Sequence, residues 1–354
     1  MAQKAPTHAP VTIIDVARAA GVSKTTASDA LSERGRVSPA TRDAVMVAAE
    51  RLGYSINRSA RSLRTATTGA IGLYIPQVLV RSEHYLSFVY GVVNEAAAFD
   101  YDVTLIVAAA DARPAYSPHV DGIVLIDPVL EDPMITRLLG TGLPVVSSER
   151  LPGGRQPAGV VWSNHAQYTT LLLEHLNARG AQHPALIAST TNSDWSHAIQ
   201  GAYRDWCRTI GVEPRLEVAP FGADTATLQH TARTLLEQSP DTDALIGAGD
   251  GVATAISHAL AADGRKIGSD ILLASCVDSS DLRAAHPPIT AIDTKGGEAG
   301  QACARLLFDL LQGRVEPPTA QELPLSLNLR DSTARALDIS DDSASARLGH
   351  RRDD

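Results

Sequence analysis

The residue types that do covalent chemistry are present in this sequence but never in a catalytic arrangement. There are eleven histidines and three cysteines, yet no G-x-S-x-G elbow, no Walker phosphate loop and no H-E-x-x-H helix. Residues 247–251 read GAGDG, a glycine-rich turn without the G-x-G-x-x-G spacing of a dinucleotide site. Cys207, Cys276 and Cys303 form no C-x-x-C pair, which argues against a zinc site and a disulfide framework and for buried, reduced thiols. No metal-ligand spacing appears among the histidines, and no cofactor is expected. The chemistry on offer is non-covalent. Lys24, Thr25, Thr26, Ser28 and Asp29 crowd small polar and charged groups onto two turns of one short segment. Such a face can approach and hydrogen-bond the edges of a polyanion.

The elements around that face must hold it out. Thr12 precedes an apolar run and Asp15 follows three residues later, close to a capping box. Ile13, Val16, Ala17 and Ala20 give a short helix one apolar side, and Gly21 ends it. Ser23 caps a second helix running through Leu31. Ser38 and Pro39 open a third, which turns Val45, Ala48, Ala49 and Leu52 inward and stops at Gly53. Two short helices joined by a glycine-containing turn make a helix-turn-helix. Its second helix lies in the DNA major groove, the groove where all four base pairs are distinguishable, and its N-terminal amides can take a phosphate. The same pattern also describes a plain three-helix bundle with no ligand. Charge supports the first reading. The chain totals −9, but residues 1–68 hold ten basic and five acidic side chains while the remainder holds 21 basic and 35 acidic. A basic head on an acidic body suggests that the head alone meets a polyanion.

The run VTIIDVARAAGVSKTTASDALSERGRVSPATRDAVMVAAERLGYSINRSARSLRT resembles the DNA-binding head and hinge of the lac repressor (LacI/GalR) family. The resemblance implies roles. Thr12 and Ser23 cap the two helices beside the DNA; Lys24 and Thr25 read bases, and Thr26 and Ser28 touch phosphates. Asp29 stands where the family usually has an arginine that reads guanine. A carboxylate cannot donate to guanine O6 and N7 but can accept from cytosine N4, so the operator should differ at that base; alternatively Asp29 caps or orients Lys24 or Arg34. Asn57 to Arg64 matches the hinge helix, which in the family folds on DNA. Leu63 matches the wedge that opens a base step, Ala60 the small residue that lets two hinges approach, and Arg61 and Arg64 reach phosphates.

From Gly69 the pattern becomes an alternation of short apolar runs and helical stretches. Strands are expected at 70–76, 102–107, 121–126, 144–147, 159–162, 184–188, 215–219, 244–248, 271–276 and 289–292, and helices at 85–99, 165–179, 195–210, 225–238, 251–262 and 297–311. Alternation of this kind gives parallel sheets covered on both faces, with a ligand cleft outside the strand ends. GAIGLYIP, DGIVLI, LPVV, GVVWSNHAQYTTLLLEHLNARGAQHPALI and DALIGAGDGVATAISHALAADG are similar, in order, to the family's effector domain, a two-lobed fold like that of periplasmic sugar-binding proteins. The fold class expected is therefore α/β: a three-helix helix-turn-helix head, a hinge helix, and a two-lobed body of parallel sheets. The expected divisions are 1–56 for the head, 57–68 for the hinge and linker, 69–330 for effector binding and dimerisation, and 331–354 for a disordered tail rich in Ser and Asp. Within the body, the N-terminal lobe would be about 69–163 plus 293–328 and the C-terminal lobe about 164–292.

Matched positions nominate cleft residues: Ser82, His84, Tyr85, Asp127, Asn164, Asp250, Asp278 and Asp293. The loop TTNSDWSH adds Asn192, Trp195 and His197, with Asp194 between. Carboxylates accepting paired hydroxyls, with an aromatic face against a ring, bind polyols; each residue could equally be a loop cap or a crossover contact. Two departures from the family stand out. Ala198 replaces an arginine that grips the effector, and only residues 108–120 join two parallel strands, barely enough for a crossover. The expectation is a homodimeric regulator, most simply a repressor, with double-stranded DNA carrying a pseudo-palindromic operator and a small-molecule effector as partners. With no secretory leader and no apolar stretch near the ~18 residues of a membrane span, no membrane partner is expected and the location is the cytoplasm, on the nucleoid when DNA is bound. The competing expectation is a solute-binding protein or enzyme on the same fold without DNA function.

Overall fold

A computed structural model of the chain describes residues 11–31, 37–54, 67–75, 82–107, 118–129, 131–190 and 192–334. The expected hinge residues Asn57, Ala60, Arg61, Leu63 and Arg64, most of the short crossover, and the tail beyond Ala334 lie outside them. The chain divides into two compact units at Gly69 and Ala70.

The first unit holds α1 (Ile13–Ala19), α2 (Lys24–Leu31) and α3 (Pro39–Leu52). Each boundary is set by a local device. The Asp15 carboxylate reaches back to accept from the Thr12 backbone N–H at 3.0 Å and from its hydroxyl at 2.7 Å, which holds its pKa below the usual range. Ser23 Oγ accepts from the Thr26 N–H at 3.0 Å, and Ser38 Oγ from the Thr41 N–H at 3.2 Å with Pro39 opening the helix. Gly21 and Gly53 adopt φ of 67° and 64°, where a side chain would be strained. Val16, Ala17, Ala27, Ala30, Val45, Ala48 and Ala49 form the buried core. Their small size lets three short helices approach closely, and Leu52 packs at the edge.

The second unit carries two six-stranded sheets. Its strands are β1 (Ala70–Ile75), β2 (Asp102–Val107), β3 (Gly122–Leu125), β4 (Val145–Ser148), β5 (Gly159–Trp162), β6 (Pro184–Ser189), β7 (Arg215–Ala219), β8 (Ala244–Gly247), β9 (Leu272–Ser275), β10 (Thr290–Asp293), β11 (Thr319–Glu322) and β12 (Ser326–Asn328). The helices are α4 (Glu83–Ala98), α5 (Pro133–Leu139), α6 (His165–Ala178), α7 (Asp194–Ile210), α8 (Thr225–Gln238), α9 (Val252–Ala262), α10 (Ser280–Ala284) and α11 (Gly296–Leu311). The first sheet is parallel throughout, in the order β11-β5-β4-β3-β1-β2. The second runs β12-β10-β9-β8-β6-β7, with β12 antiparallel to β10. Central strands β3, β4, β8 and β9 are buried along their whole length, as sheets covered on both faces require. The first lobe packs α4 and α11 on one face around Phe88 and Phe308 and α5 on the other around Ile135 and Leu138. The second packs α6 and α7 around Tyr203 and α8 and α9 around Ile256.

Two expectations are corrected at the C-terminal end. Residues 326–328 belong to the second lobe rather than the first, because β12 adds to β10 and Leu325 enters the second lobe's core. The third crossing between lobes therefore falls between β11 and β12. Residues 331–334 are not tail. Asp331–Thr333 form a 3₁₀ turn with Ser332 and Thr333 buried. Ser332 Oγ accepts from the Thr290 N–H at 2.8 Å and donates to Leu273 O at 2.6 Å, and Thr333 Oγ1 meets His175 Nε2 at 2.8 Å. A polar stretch looked solvent-bound, but its hydroxyls satisfy buried backbone groups instead. Polar composition also hid α10, β11 and β12, and the shortness of α5, seven residues, hid that apolar helix; the strand and helix expectations omit all four.

One helix contact positions the cleft. Gly91 and Gly300 let α4 and α11 touch backbone to backbone: a Cβ on either would sit 2.1 Å from the Gly297 or Phe88 carbonyl oxygen. A Cβ on Gly296 would lie 2.6 Å from the His84 carbonyl oxygen. The first turn of α4, which carries His84 and Tyr85, is thereby fixed against the start of α11.

Candidate functional site

On the first unit, the N-terminus of α2 is the polar surface. Lys24 and Thr25 are exposed, and Thr26, Ser28 and Asp29 are half-buried around the core residues Ala27 and Ala30. Thr26 also shares a 2.8 Å hydroxyl contact with Ser23. Among the described residues Lys24 forms no ion pair with Asp29; Arg34 lies outside them. Thr12 is exposed at the start of α1.

On the second unit, a cavity of about 560 Å³ lies between the two lobes. Its walls come from the segments that follow the C-terminal ends of the parallel strands, the place where open α/β folds bind ligands. Ser82, His84, Tyr85, Asp127, Trp195 and Asp250 line it. Tyr85 Oη donates to Asp127 Oδ2 at 2.5 Å, and the Asp127 N–H donates to Ser148 Oγ at 3.1 Å. His84 Nδ1 meets Thr294 Oγ1 at 2.8 Å, and its ring stands edge-on to Tyr85. Burial pushes the Asp127 carboxyl up and the His84 imidazole down, despite the Asp127 charge beside it. Burial, with Asp127 added, raises Tyr85 well above the ordinary phenol value.

Sequence reasoning missed a second cluster. Glu149 Oε1 lies 3.0 Å from His165 Nε2, and Glu149 Oε2 accepts from the Ser163 N–H at 3.3 Å. Burial disfavours the His165 cation, but the Glu149 charge and hydrogen bond outweigh it and raise the pKa above the usual value. Asp127 and Glu149 both sit at positive φ, 40° and 69°, a strain that non-glycine residues hold where the surrounding structure over-determines them. The available signal was positional: Ser148-Glu149 and Ser163 are polar residues at the ends of otherwise apolar parallel strands.

Five nominated residues lie outside the cavity wall. Asn164 caps α6, accepting from the Gln167 N–H at 3.1 Å. Asp293 accepts from the Lys295 N–H at 2.9 Å where the chain leaves β10. His197 is exposed on α7. Asn192 donates across the cleft to Glu131 at 2.6 Å. Asp278 is corrected most firmly. Its carboxylate is 4% exposed and grips Arg330 through two contacts, 3.0 and 2.5 Å, with the Asn328 amide at 3.1 Å. Burial alone would raise its pKa, but the guanidinium and amide hold it below the usual range. It ties the last crossing segment to the second lobe. Ala198 is half-buried on α7, so no guanidinium projects from that position.

The lobes also touch at the rim. Glu83 on α4 accepts from the Ser280 N–H and hydroxyl at 2.7 Å each and from Arg283 at 2.8 Å. Val129 bridges Ser193, and Phe221, from the loop after β7, packs on the first lobe's core. Glu83→Ala should loosen this closed arrangement. After discounting for solvent, the three contacts are worth about 1–2 kcal/mol. Ligand dissociation, followed by stopped flow, should then quicken about tenfold; an unchanged rate would show that the rim does not gate the cleft.

Comparison with known proteins fits both sites. Residues 12–57 match the family described as bacterial regulatory proteins, lacI family, and residues 173–333 match a periplasmic binding protein-like domain. The HTH-type transcriptional regulator CelR of Thermobifida fusca is 29% identical over 335 residues, covering 90% of this chain and 96% of that one. The lactose operon repressor of Escherichia coli is 26% identical over 337 residues, covering 92% and 91%. Among solved structures, a CelR–cellobiose complex superposes with a TM-score of 0.68 at 26% identity, over 91% of this chain and 99% of that one. A lac repressor dimer bound to operator and an anti-inducer gives 0.78 at 24%, over 92% and 99%, and shares the fold. The chain thus carries a LacI-family DNA-binding domain followed by a periplasmic-binding-protein-like domain, and over nine-tenths of its length it is similar to DNA-binding transcriptional regulators of that type.

Proposed function

We propose that this protein is a homodimeric repressor whose hold on a pseudo-palindromic operator is set by a polar, sugar-like molecule bound between the lobes of its body. The observation that carries this reading is the cavity of about 560 Å³, walled by carboxylates, hydroxyls and aromatic rings, in a chain that begins with a helix-turn-helix. The relatives support it: one neighbour is solved with cellobiose, another as a dimer on operator. No catalytic role is assigned to the cleft, and the cytoplasm is where such a regulator would meet DNA.

In this reading residues 1–56 read the operator through Lys24, Thr25 and Asp29, with Thr12, Ser23, Thr26 and Ser28 serving caps and phosphates. The hinge, 57–68, adds Asn57, Ala60, Arg61, Leu63 and Arg64 at the minor groove. Residues 69–334 bind ligand through Ser82, His84, Tyr85, Asp127, Trp195 and Asp250, joined by Glu149 and His165. Dimerisation would use exposed apolar groups of the first lobe: Leu86, Tyr90 and Val93 on one side of α4, and Leu105 and Val107 on β2. Two-fold symmetry then imposes operator palindromy. A ligand that fits one lobe arrangement better shifts the population and, with it, DNA affinity.

The test is selection of bound sequences from a random duplex library at near-physiological salt, followed by titration of the best site. A pseudo-palindrome with a kinkable central step is expected. Between 50 and 200 mM salt the affinity should fall about 10³-fold or more, because phosphate contacts release counterions. Leu63→Ala should weaken specific binding and leave cleft ligand binding intact. Failure to enrich any sequence, with or without cleft ligand, would sink the assignment.

A further inference from the structure

We propose that the ligand of this cleft is a polyhydroxylated amine, a sugar-like body carrying a protonated ammonium group, and that anionic sugars are excluded. This rests on the reading of the cavity as a polyol site and specifies its charge.

Six carboxylates line the cavity: Glu83, Asp127, Glu149, Asp224, Asp250 and Asp281. Among the described residues no lysine or arginine does. Three of the six are committed elsewhere. Glu83 holds Arg283 and Ser280, Asp224 caps α8 through the Thr227 N–H, and Glu149 faces His165. Asp127 is different. It is set deep beside Tyr85, which gives it a hydrogen bond but no charge; the neighbouring imidazole of His84 is disfavoured as a cation by burial, and the His165 cation that also acts on it is hydrogen-bonded to Glu149, whose charge opposes it at Asp127. Asp250, across the cavity, has no ion pair among the described residues. A carboxylate enclosed without a counter-charge of its own, its cationic neighbour His165 being paired with Glu149, is costly, and burial raises the Asp127 pKa as that cost predicts. A ligand ammonium supplies the missing charge; a phosphate or uronate adds to the repulsion.

A second, independent feature points to hydroxyls on the same ligand. Ser189 lines the cavity, is 7% exposed, and its Oγ has no hydrogen-bond partner. Ser82 Oγ is likewise unpartnered in the same wall. Buried hydroxyls are rarely left unpaired, so both await groups that donate or accept. Trp195 and Phe221 complete the wall, and aromatic faces suit both a sugar ring and a cation.

The experiment is isothermal titration of the full-length protein with charge-matched sugars: the free-amine β-1,4-linked glucosamine disaccharide, its N-acetylated form, cellobiose and cellobiuronate, with glucosamine, glucose and glucuronate as smaller counterparts. The free amines should bind about tenfold or more tighter than the neutral sugars of the same skeleton, and the acids should not bind. Asp127→Asn should bring the amine-to-neutral ratio close to one. Asp250→Asn, an exposed substitution that leaves the fold intact, should lower it several-fold. Equal or tighter binding of the neutral sugars overturns the amine proposal and leaves the polyol reading standing. Preference for the acids overturns the charge argument altogether. Binding of a plain diamine such as putrescine without any sugar keeps the cation and overturns the polyol reading on which the proposal rests. Silence from every probe overturns both.

Discussion

Asp29→Arg should switch the base preferred at one position of each operator half-site from cytosine to guanine on the contacted strand. Asp29 lies within two turns of the exposed N-terminus of α2, on the same short helix as Lys24 and Thr25. Its carboxylate can accept from cytosine N4 but has nothing to donate to guanine O6 and N7; a guanidinium reverses this and binds both atoms. A good bidentate pair discriminates by about 1–3 kcal/mol. Because a two-fold dimer reads the position twice, the switch should amount to about 2–6 kcal/mol, a 30-fold to 10⁴-fold change in the ratio of the two symmetric operators. The fold is not at risk, since the buried positions of α2 are Ala27 and Ala30. Parallel selections on wild type and variant, followed by titration of both operators, give the answer. Identical preferences at every position would mean that Asp29 faces no base and serves the head's own structure.

How much could be read from the sequence depended on how local the cause was. The head was legible because each helix start is fixed by a residue within four of it: Thr12 with Asp15, Ser23 with Thr26, Ser38 with Pro39 and Thr41. The central strands were legible because both faces of each are buried, which leaves uninterrupted apolar runs such as Ala244–Gly247. The edge strands β2 and β7 were legible too, but the edge strands β11 and β12 were not. Thr319–Glu322 is mostly exposed and pairs through its backbone to β5, so nothing in its side chains marks it. The cleft divides in the same way. His84, Tyr85 and Asp127 follow strands whose positions were plain, and they meet as the topology requires. Glu149 and His165 are 16 positions apart and meet only because β4 and β5 are neighbours in the sheet. Asp278 misled because its partner, Arg330, lies 52 residues away beyond two lobe crossings, at the edge of a segment that composition alone makes look solvent-bound.

That pair makes the last prediction, and it reverses the role the sequence suggested. Asp278→Ala should destabilise the body by about 3–5 kcal/mol, the cost of leaving one partner of a buried ion pair uncompensated. The Arg330 guanidinium is 14% exposed on its side chain and would keep only the Ile289 carbonyl, at 2.5 Å, and a distant share of solvent. Removing both charges, Asp278→Ala with Arg330→Ala, should recover part of the loss, because no unpaired charge remains. The pH dependence has a definite sign. Asp278 is held below its ordinary value in the folded state, so its contribution is present above about pH 4 and is lost as pH falls towards the folded pKa. The difference in stability between wild type and variant should therefore shrink on acidification. Urea unfolding monitored by circular dichroism, repeated across pH 3 to 7, measures both effects. If Asp278→Ala instead unfolds within 0.5 kcal/mol of wild type (about the scatter of surface substitutions) while losing its ligand response, the carboxylate serves the effector after all, and the Arg330 contact is incidental to the fold.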